Sequence, residues 1–194
     1  MNIAYRDKRW FVFGRVNIMK EHKGMKSQDV AILLFISHYC DGKYKVSQIA
    51  DSLKISQSEV SESINRSNIA KLIDSGSKTV FRHGLYELLV YGLKFVFPVI
   101  PGHIVRGVPT SHSGPPLNGL ISSSSDQFVW SYSKGVARGM LIKPLYRTIP
   151  VICNEFPEYY ELLCLVDALR IGRAREVVIA REILKERLLG NGGK

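Results

Sequence analysis

Cysteine is scarce in this sequence, and its spacing argues against two common classes of small protein. The 194 residues contain three cysteines, Cys40, Cys153 and Cys164, at wide spacing and without a CxxC pair. A disulfide framework needs an even set of paired cysteines, and a zinc finger needs closely spaced ligands. The pattern therefore favours reduced thiols in a cytoplasmic protein, with Cys40 and Cys164 as packing residues in apolar helical patterns.

Long apolar runs are also missing. The longest one, around Leu85 to Ile100, is interrupted by Glu87, Lys94 and Pro98, and it falls short of the roughly 20 residues that cross a bilayer. The N-terminus carries charges but no apolar segment followed by a small-residue cleavage site, so we expect no signal peptide. We therefore expect no membrane association.

Acidic residues are few compared with basic ones. The chain has 17 Asp and Glu against 27 Lys and Arg, which gives a net charge of +10. The excess is concentrated in residues 1–26 and 83–150, whereas residues 27–82 and 151–194 are close to balanced. A basic protein without membrane features favours a polyanion, such as nucleic acid, as its partner.

The length and an apolar content of 45% suit one or two small domains with a real core. We expect a mainly α fold with a small β component (α+β), built on a winged-helix-like helix-turn-helix core. The predicted divisions are a basic N-terminal arm or leader at 1–24, a helix-turn-helix DNA-binding domain at 25–96, an extended Pro/Gly/Ser-rich segment with a hairpin at 97–150, and a C-terminal helical region at 151–194.

The most informative segment runs from Val46 to Arg66. Its apolar positions fall in two pairs at i, i+4 spacing, Ile49 with Leu53 and Val60 with Ile64. Two short amphipathic helices that pack on one core require this spacing. Ser56 and Glu59 form a capping-box pattern that starts the second helix. The segment therefore predicts a helix-turn-helix, whose second helix usually enters the DNA major groove.

The outward face of that second helix carries short polar side chains. Amide groups can bond adenine edges, arginine can fork onto guanine or phosphate, and hydroxyl groups can reach either phosphates or bases. The residues expected to contact DNA are Lys45, Lys54, Ser56, Gln57, Ser58, Ser61, Asn65 and Arg66, of which the first three would hold the backbone. The alternative is an ordinary solvated surface helix.

Two further helices are expected around this motif. The first runs from a cap at Ser27 to Asp41-Gly42, and the second motif helix or its continuation runs through Ile73. A wing hairpin normally follows three such helices, but Lys78 to Phe81 is short and lacks a partner strand. Leu85 to Phe95 instead predicts a fourth helix, so we expect the wing to be missing, reduced or displaced.

The middle of the chain is rich in Pro, Gly and Ser, yet it carries Val, Ile and Leu at intervals. This favours an extended segment packed across the domain. Two strand-like runs, at 127–132 and 136–142, flank a Gly-containing turn and predict a hairpin. Lys134 and Arg138 would then contact a phosphate backbone as a wing does; the equal alternative is a small sheet that buries Trp130 and serves packing.

The C-terminal part predicts one long helix over 158–189, or two if Ile171-Gly172 breaks it. Its apolar face would serve the core or a dimer. Three arginines cluster near the break, Arg170, Arg173 and Arg175. Because Asp167 and Glu176 are close in sequence, we prefer ordinary surface pairing to a phosphate site.

Two resemblances follow from these residues. The segment Leu53 to Ile64 is similar to the helix-turn-helix of bacterial winged-helix regulators of the MarR and LysR kinds. The matching positions are Ala50, Leu53, Ile55, Ser56, Gln57, Ser58, Val60, Ser61 and Ile64. Phe97-Pro98 and residues 106–117 and 166–175 resemble a family of small bacterial MarR-like proteins of uncharacterised function. This second resemblance covers most of residues 25–189 and implies a stand-alone bacterial DNA-binding protein.

Two other functions remain as alternatives. A hydrolytic enzyme would use residues of the 103–126 segment, namely His103, Ser111, His112, Ser113 and Asp126. No nucleophile elbow, metal-spaced His pair or phosphate loop accompanies them, so we expect no enzyme. An antitoxin or protein-interaction module would autoregulate its operon and bind a partner protein through its C-terminal region.

The sequence thus predicts a cytoplasmic transcription regulator that binds double-stranded DNA. We expect a homodimer, because one short helix contacts few base pairs and two-fold pairing doubles the site. We expect no cofactor and no metal ion.

Overall fold

The computed structural model describes residues 24–121 and 127–190. The predicted basic arm at 1–24 lies almost wholly outside this range. The fold is mainly helical with a small β component, as the sequence predicts. The helices are α1 Ser27–Tyr39, α2 Val46–Leu53, α3 Gln57–Ile69, α4 Arg82–Glu87, α5 Leu93–Val96, α6 Ile149–Ile152, α7 Pro157–Ile171 and α8 Ala174–Leu189. The strands are β1 Ile73–Asp74, β2 Thr79–Val80, β3 Ile104–Pro109, β4 Phe128–Ser131 and β5 Ala137–Leu141.

Helix α1 is the centre of the core. Its residues 29–37 are all buried, and it packs against both α3 and α7. A helix that is apolar on all sides must be enclosed by other elements, and α7 shares this character with nine buried residues. The buried apolar side chains form one cluster that runs from α1 to α8.

The start of α1 differs slightly from the prediction. Lys26, not Ser27, is the N-cap, and its backbone N–H donates to the Asp29 carboxylate at 2.8 Å. The Ser27 hydroxyl instead donates to the Leu145 carbonyl at 2.8 Å. Ser27 therefore joins the first helix to the chain that follows β5.

Helix α3 ends earlier than predicted. Ala70 is its C-cap, and Lys71 takes a left-handed conformation with φ 60°. Ile73 consequently belongs to a strand, since β1 pairs antiparallel with β2. The expectation that residues 78–81 lack a partner strand is therefore wrong, because Ile73–Asp74 is that partner, in a small hairpin that directly follows α3.

The predicted hairpin in the middle segment is wrong in its pairing. Strands β4 and β5 lie parallel to each other, and each pairs antiparallel with β3. The sheet closes on itself because glycines allow very close backbones. A Cβ on Gly107 would lie 1.9 Å from the Trp130 carbonyl oxygen, and one on Gly139 would lie 2.4 Å from that of Gln127. Trp130 is buried, as the alternative of a packing sheet predicts.

A buried carboxylate fastens this sheet to the helices. Asp167 of α7 accepts hydrogen bonds from the Thr110 hydroxyl at 2.9 Å, the Trp130 indole at 2.7 Å and Arg170 at 2.7 Å. Burial raises the pKa of Asp167, while Arg170 and the other donors oppose that shift. Arg170 pairs with Asp167 as predicted, but the pair is buried and not the ordinary surface pair that the sequence led us to expect. Helices α7 and α8 are separate, with the break at Gly172.

Candidate nucleic-acid interface

The turn between α2 and α3 is tight and firmly held. Lys54 adopts a left-handed conformation with φ 55° at the C-cap of α2, a position where glycine is usual. The backbone N–H of Ile55 donates to the Ala50 carbonyl at 2.9 Å, and the Ile55 side chain is buried. The Thr148 hydroxyl donates to the Leu53 carbonyl at 2.6 Å. The turn is therefore supported by the chain that leads into α6.

Ser56 caps α3 as predicted. Its hydroxyl oxygen accepts from the Glu59 backbone N–H at 3.3 Å. The reciprocal half of the capping box is not formed as expected, because the Glu59 carboxylate accepts from the Ser56 hydroxyl at 3.1 Å. The Ser56 side chain is exposed at this helix end, where positive partial charge favours an anion.

The outer face of α3 brings most of the predicted base-contacting residues together. Gln57, Ser58, Ser61 and Asn65 are all exposed, whereas Val60 is completely buried. Positions 57, 61 and 65 follow one another at i, i+4 spacing and so form one line along the helix. This line is polar and, apart from the neighbouring Glu62, uncharged.

Arg66 does not belong to that face. Its side chain is only 10% exposed, and its Nε and Nη2 atoms donate to the Asp29 carboxylate of α1 at 2.9 Å and 2.7 Å. The hydrogen bonds to Asp29 raise the pKa of Arg66. A carboxylate oxygen of Glu62 lies 3.5 Å from Nη1 of Arg66, so this acidic residue of α3 pairs with the arginine. This placement does not fit the predicted base contact by Arg66. The guanidinium group is buried and already donates two hydrogen bonds to Asp29, so it is not free to bind a base.

The predicted backbone-contacting lysines are accessible. Lys45 precedes α2 and Lys54 occupies the turn, and both side chains are exposed. Lys45 is the N-cap of α2, and Lys54 is the C-cap of α2, two residues before the N-cap of α3. Both lysines therefore lie near a helix N-terminus, where DNA phosphates commonly bind.

Two further cations near α3 were not identified from the sequence. A pocket of about 520 Å³, here called the junction pocket, is lined by Ser27, Glu59, Ser131, Lys143, Pro144, Leu145, Tyr146, Arg147 and Pro150. Lys143 and Arg147 are exposed there, and Arg147 adjoins the Thr148 that bonds the turn. The sequence showed an excess of basic residues over 83–150, but composition does not indicate where in the structure these two residues lie.

The small hairpin is rigidly shaped but offers little free charge. The Lys78 ammonium group donates to the Tyr44 carbonyl at 3.0 Å, so it is held against the domain. At the hairpin tip, a hydrogen bond from the Ser77 hydroxyl lowers the pKa of Asp74. The hairpin therefore resembles a wing in position more than in chemistry.

The other predicted wing contacts lie on the closed sheet. Lys134 is exposed in the connection between β4 and β5, and Arg138 is exposed on β5. Arg138 is the register partner of Arg106 on β3. These cations are therefore presented by a three-stranded sheet and not by a hairpin.

Among the residues that it describes, the structure does not group those that a hydrolytic enzyme would use, because some of them are buried and others are exposed. Ser111 and Ser113 are buried beside α7, and the Ser113 hydroxyl accepts from the Phe128 N–H at 2.9 Å. His112 is buried 3.6 Å from Glu176. His103 is exposed and lines a separate pocket of about 300 Å³ with Arg138. Asp126 lies outside the described residues.

Within the described part of the chain, no three His, Cys, Asp or Glu side chains are grouped as metal ligands would be. Its helices are all too short or too polar to cross a bilayer. No protein-family model, curated protein or solved structure matches the chain.

Proposed function

We propose that the protein is a sequence-specific, double-stranded-DNA-binding transcription regulator of a bacterial cytoplasm. The carrying observation is the line of exposed polar side chains on α3, Gln57, Ser61 and Asn65, on a helix that follows a tight turn. Short amide and hydroxyl side chains at i, i+4 spacing suit base edges in the major groove. Together with Ser58 they form the proposed base-contacting set.

The surroundings of α3 support a phosphate backbone beside that set. Lys45, Lys54 and Ser56 flank the helix starts, and Lys143 and Arg147 add two cations at the junction pocket. Phosphate contacts set the position of a protein on DNA, while base contacts set its sequence preference. Residues 27–82 are close to neutral and supply few cations for phosphate contacts. In this proposal, residues after β5 supply part of those contacts.

The protein's binding to its own upstream DNA tests this proposal. We expect higher affinity for that DNA than for a scrambled duplex of equal length, retained as salt is raised from about 50 to 200 mM. Equal affinities that vanish together at the higher salt would contradict sequence-specific binding. That result would assign the binding to net charge alone.

We further propose that the regulator acts as a homodimer. A π-helical turn, Leu88–Gly92, joins α4 to α5, so that residues 82–96 form one helical segment after the hairpin. Support comes from two exposed aromatic side chains of this segment, Tyr91 at 66% and Phe95 at 73% exposure. Val178 of α8 is also exposed, and Arg181, one turn further on, stacks over the Tyr91 ring at 6.0 Å. Contiguous apolar surface of this kind commonly marks a protein–protein interface.

The same patch favours a second candidate function, a protein-interaction module that autoregulates its operon and binds another protein. Sedimentation of the purified chain separates the two. A dimer that dissociates in Phe95→Glu, but not in the still more exposed control Val136→Glu, supports the homodimer. A monomer at micromolar concentration would leave the patch to a different partner.

A further inference from the structure

Two arginines face each other across the closed sheet. Arg106 of β3 and Arg138 of β5 are direct register partners, and both are exposed. Residues opposite each other in an antiparallel pair point to the same face, with Cβ atoms about 4.5–5.5 Å apart. Like charges in this arrangement destabilise a sheet. The pair, here called the arginine pair, is therefore a local cost to the free protein.

Nothing acidic offsets that cost in the described chain. Among residues 24–121 and 127–190, neither arginine forms an ion pair with a carboxylate. In the sequence, Asp126 is the one acidic residue between positions 97 and 150, against five Lys and Arg. The charged side chains of the three strands are thus Arg106 and Arg138, and Arg138 lines the pocket of about 300 Å³ together with His103. Such a surface suits an anionic ligand.

The chain around the junction pocket connects the arginine pair to α3. The Arg106 carbonyl accepts from the Tyr132 N–H at 3.1 Å, and the preceding Ser131 lines the junction pocket together with Glu59 of α3. Lys143 lines the same pocket and lies five residues after Arg138. At about 3.3 Å per extended residue, these five residues span at most about 16 Å. One DNA strand carries a phosphate for about every 3.4 Å of helix axis, so several phosphates fit within that distance.

We propose that the arginine pair binds a backbone phosphate of duplex DNA beside the segment contacted by α3. This inference rests on the proposed function, which it extends to a second element of the protein. A guanidinium group presents a planar fork of donors that matches phosphate oxygens. A phosphate between Arg106 and Arg138 would also relieve their mutual repulsion. The closed sheet then performs the phosphate-holding task that the small β1–β2 hairpin is poorly equipped for.

The salt dependence of DNA binding measures this contact. Arg106→Ala and Arg138→Ala should each lower the slope of log affinity against log salt, and the variant that carries both substitutions should lower it by about one, because the slope counts neutralised phosphates and the pair holds one. A slope loss of about 0.9 corresponds to roughly eightfold weaker binding at 0.1 M salt. The loss should be the same on the protein's own upstream DNA and on a scrambled duplex, because phosphates carry no sequence. Arg175→Ala, which removes an exposed charge from α8, is the matched control and should change the slope little.

The temperature of thermal unfolding, measured without DNA, separates the proposed role of the arginine pair from a purely structural one. Arg138→Glu places a carboxylate opposite Arg106, so the unfolding temperature should rise while DNA affinity falls. Arg175→Glu should not couple the two changes in this way. A lower unfolding temperature for Arg138→Glu would overturn the argument from repulsion.

The outcomes for the pair and for the regulator are distinguishable. A slope that both alanine variants leave at the wild-type or control value would overturn the arginine pair, whatever the sequence preference. Equal affinity for the two DNAs, with the slope still reduced in the variants, would support the pair and contradict the sequence-specific regulator.

Discussion

Arg66 and Asp29 join α3 to α1 through two hydrogen bonds, at 2.9 Å and 2.7 Å, with the Asp29 carboxylate fully buried. Asp29 also accepts from the backbone N–H of Lys26 at the start of α1. One carboxylate thus caps the first helix and sets the position of the third. The angle at which α3 presents its polar face depends on this pair.

Arg66→Ala should therefore act on stability. Removing one partner leaves Asp29 buried without its counter-charge, and such a change costs about 3–5 kcal/mol of unfolding free energy. Urea denaturation of the variant measures it. The DNA sequence preference of the molecules that remain folded should be unchanged, which separates this role from base contact.

A double variant provides the control for that prediction. Arg66→Met with Asp29→Leu removes both charges and should recover most of the lost stability, since buried ion pairs are often replaceable by apolar side chains. A loss below about 1 kcal/mol for Arg66→Ala would mean that the pair is worth no more than an exposed one.

Asn65→Ala should reduce discrimination between the protein's own upstream DNA and scrambled DNA. An amide that bonds an adenine edge contributes about 1–3 kcal/mol of preference, so affinity should fall on the specific duplex and hardly at all on the scrambled one. Fluorescence anisotropy with both duplexes measures this. Asn118→Ala, an exposed asparagine outside the motif, is the control. Equal losses on both duplexes would remove Asn65 from base contact.

Lys54 allows strain and charge to be separated at one position. A left-handed conformation costs a residue with a side chain roughly 1–2 kcal/mol, and glycine avoids this cost. Lys54→Gly should raise the unfolding free energy by about 1 kcal/mol, whereas Lys54→Ala should not. Both variants should lower DNA affinity alike, because both remove the same ammonium group. Different affinities would indicate that the turn conformation, and not the charge, determines binding.

The three cysteines should resist alkylation while the chain is folded. Burial raises the pKa of Cys40 to about 11, and it also raises those of Cys153 and Cys164. At pH 8 roughly one Cys40 in a thousand would be the reactive thiolate. Mass spectrometry after iodoacetamide should find no label in buffer and three labels in urea. Rapid labelling of Cys40 in buffer would contradict the packing of this partly buried side chain against the core.

Local patterns in the sequence predicted many of the helices correctly. The apolar spacing around Leu53 and Val60 identified α2 and α3, and Ser56 marked the cap correctly. Gly172 marked the place where the C-terminal helix ends, but the sequence pattern left one long helix and two helices as alternatives. These features depend on residues within one or two turns of each other.

The remaining features depend on residues far apart in the chain. Arg66 meets an aspartate 37 positions earlier, and its burial has no local signature. Strand β3 lies in a segment whose Pro and Gly content is typical of a linker, and its partners follow 20 to 36 residues later. Lys143 and Arg147 reach the turn only because the chain returns to α2 after β5.

The closed pairing of β3, β4 and β5 has a consequence for how the protein behaves in concentrated solution. Each of these strands pairs with both of the others, so none of them has a side that is unpaired along its whole length. Free edges are the usual starting points for strand-by-strand aggregation. The glycines that permit closure at Gly107 and Gly139 therefore protect an exposed, β-branched segment from self-association, and a side chain at either position would put that protection at risk.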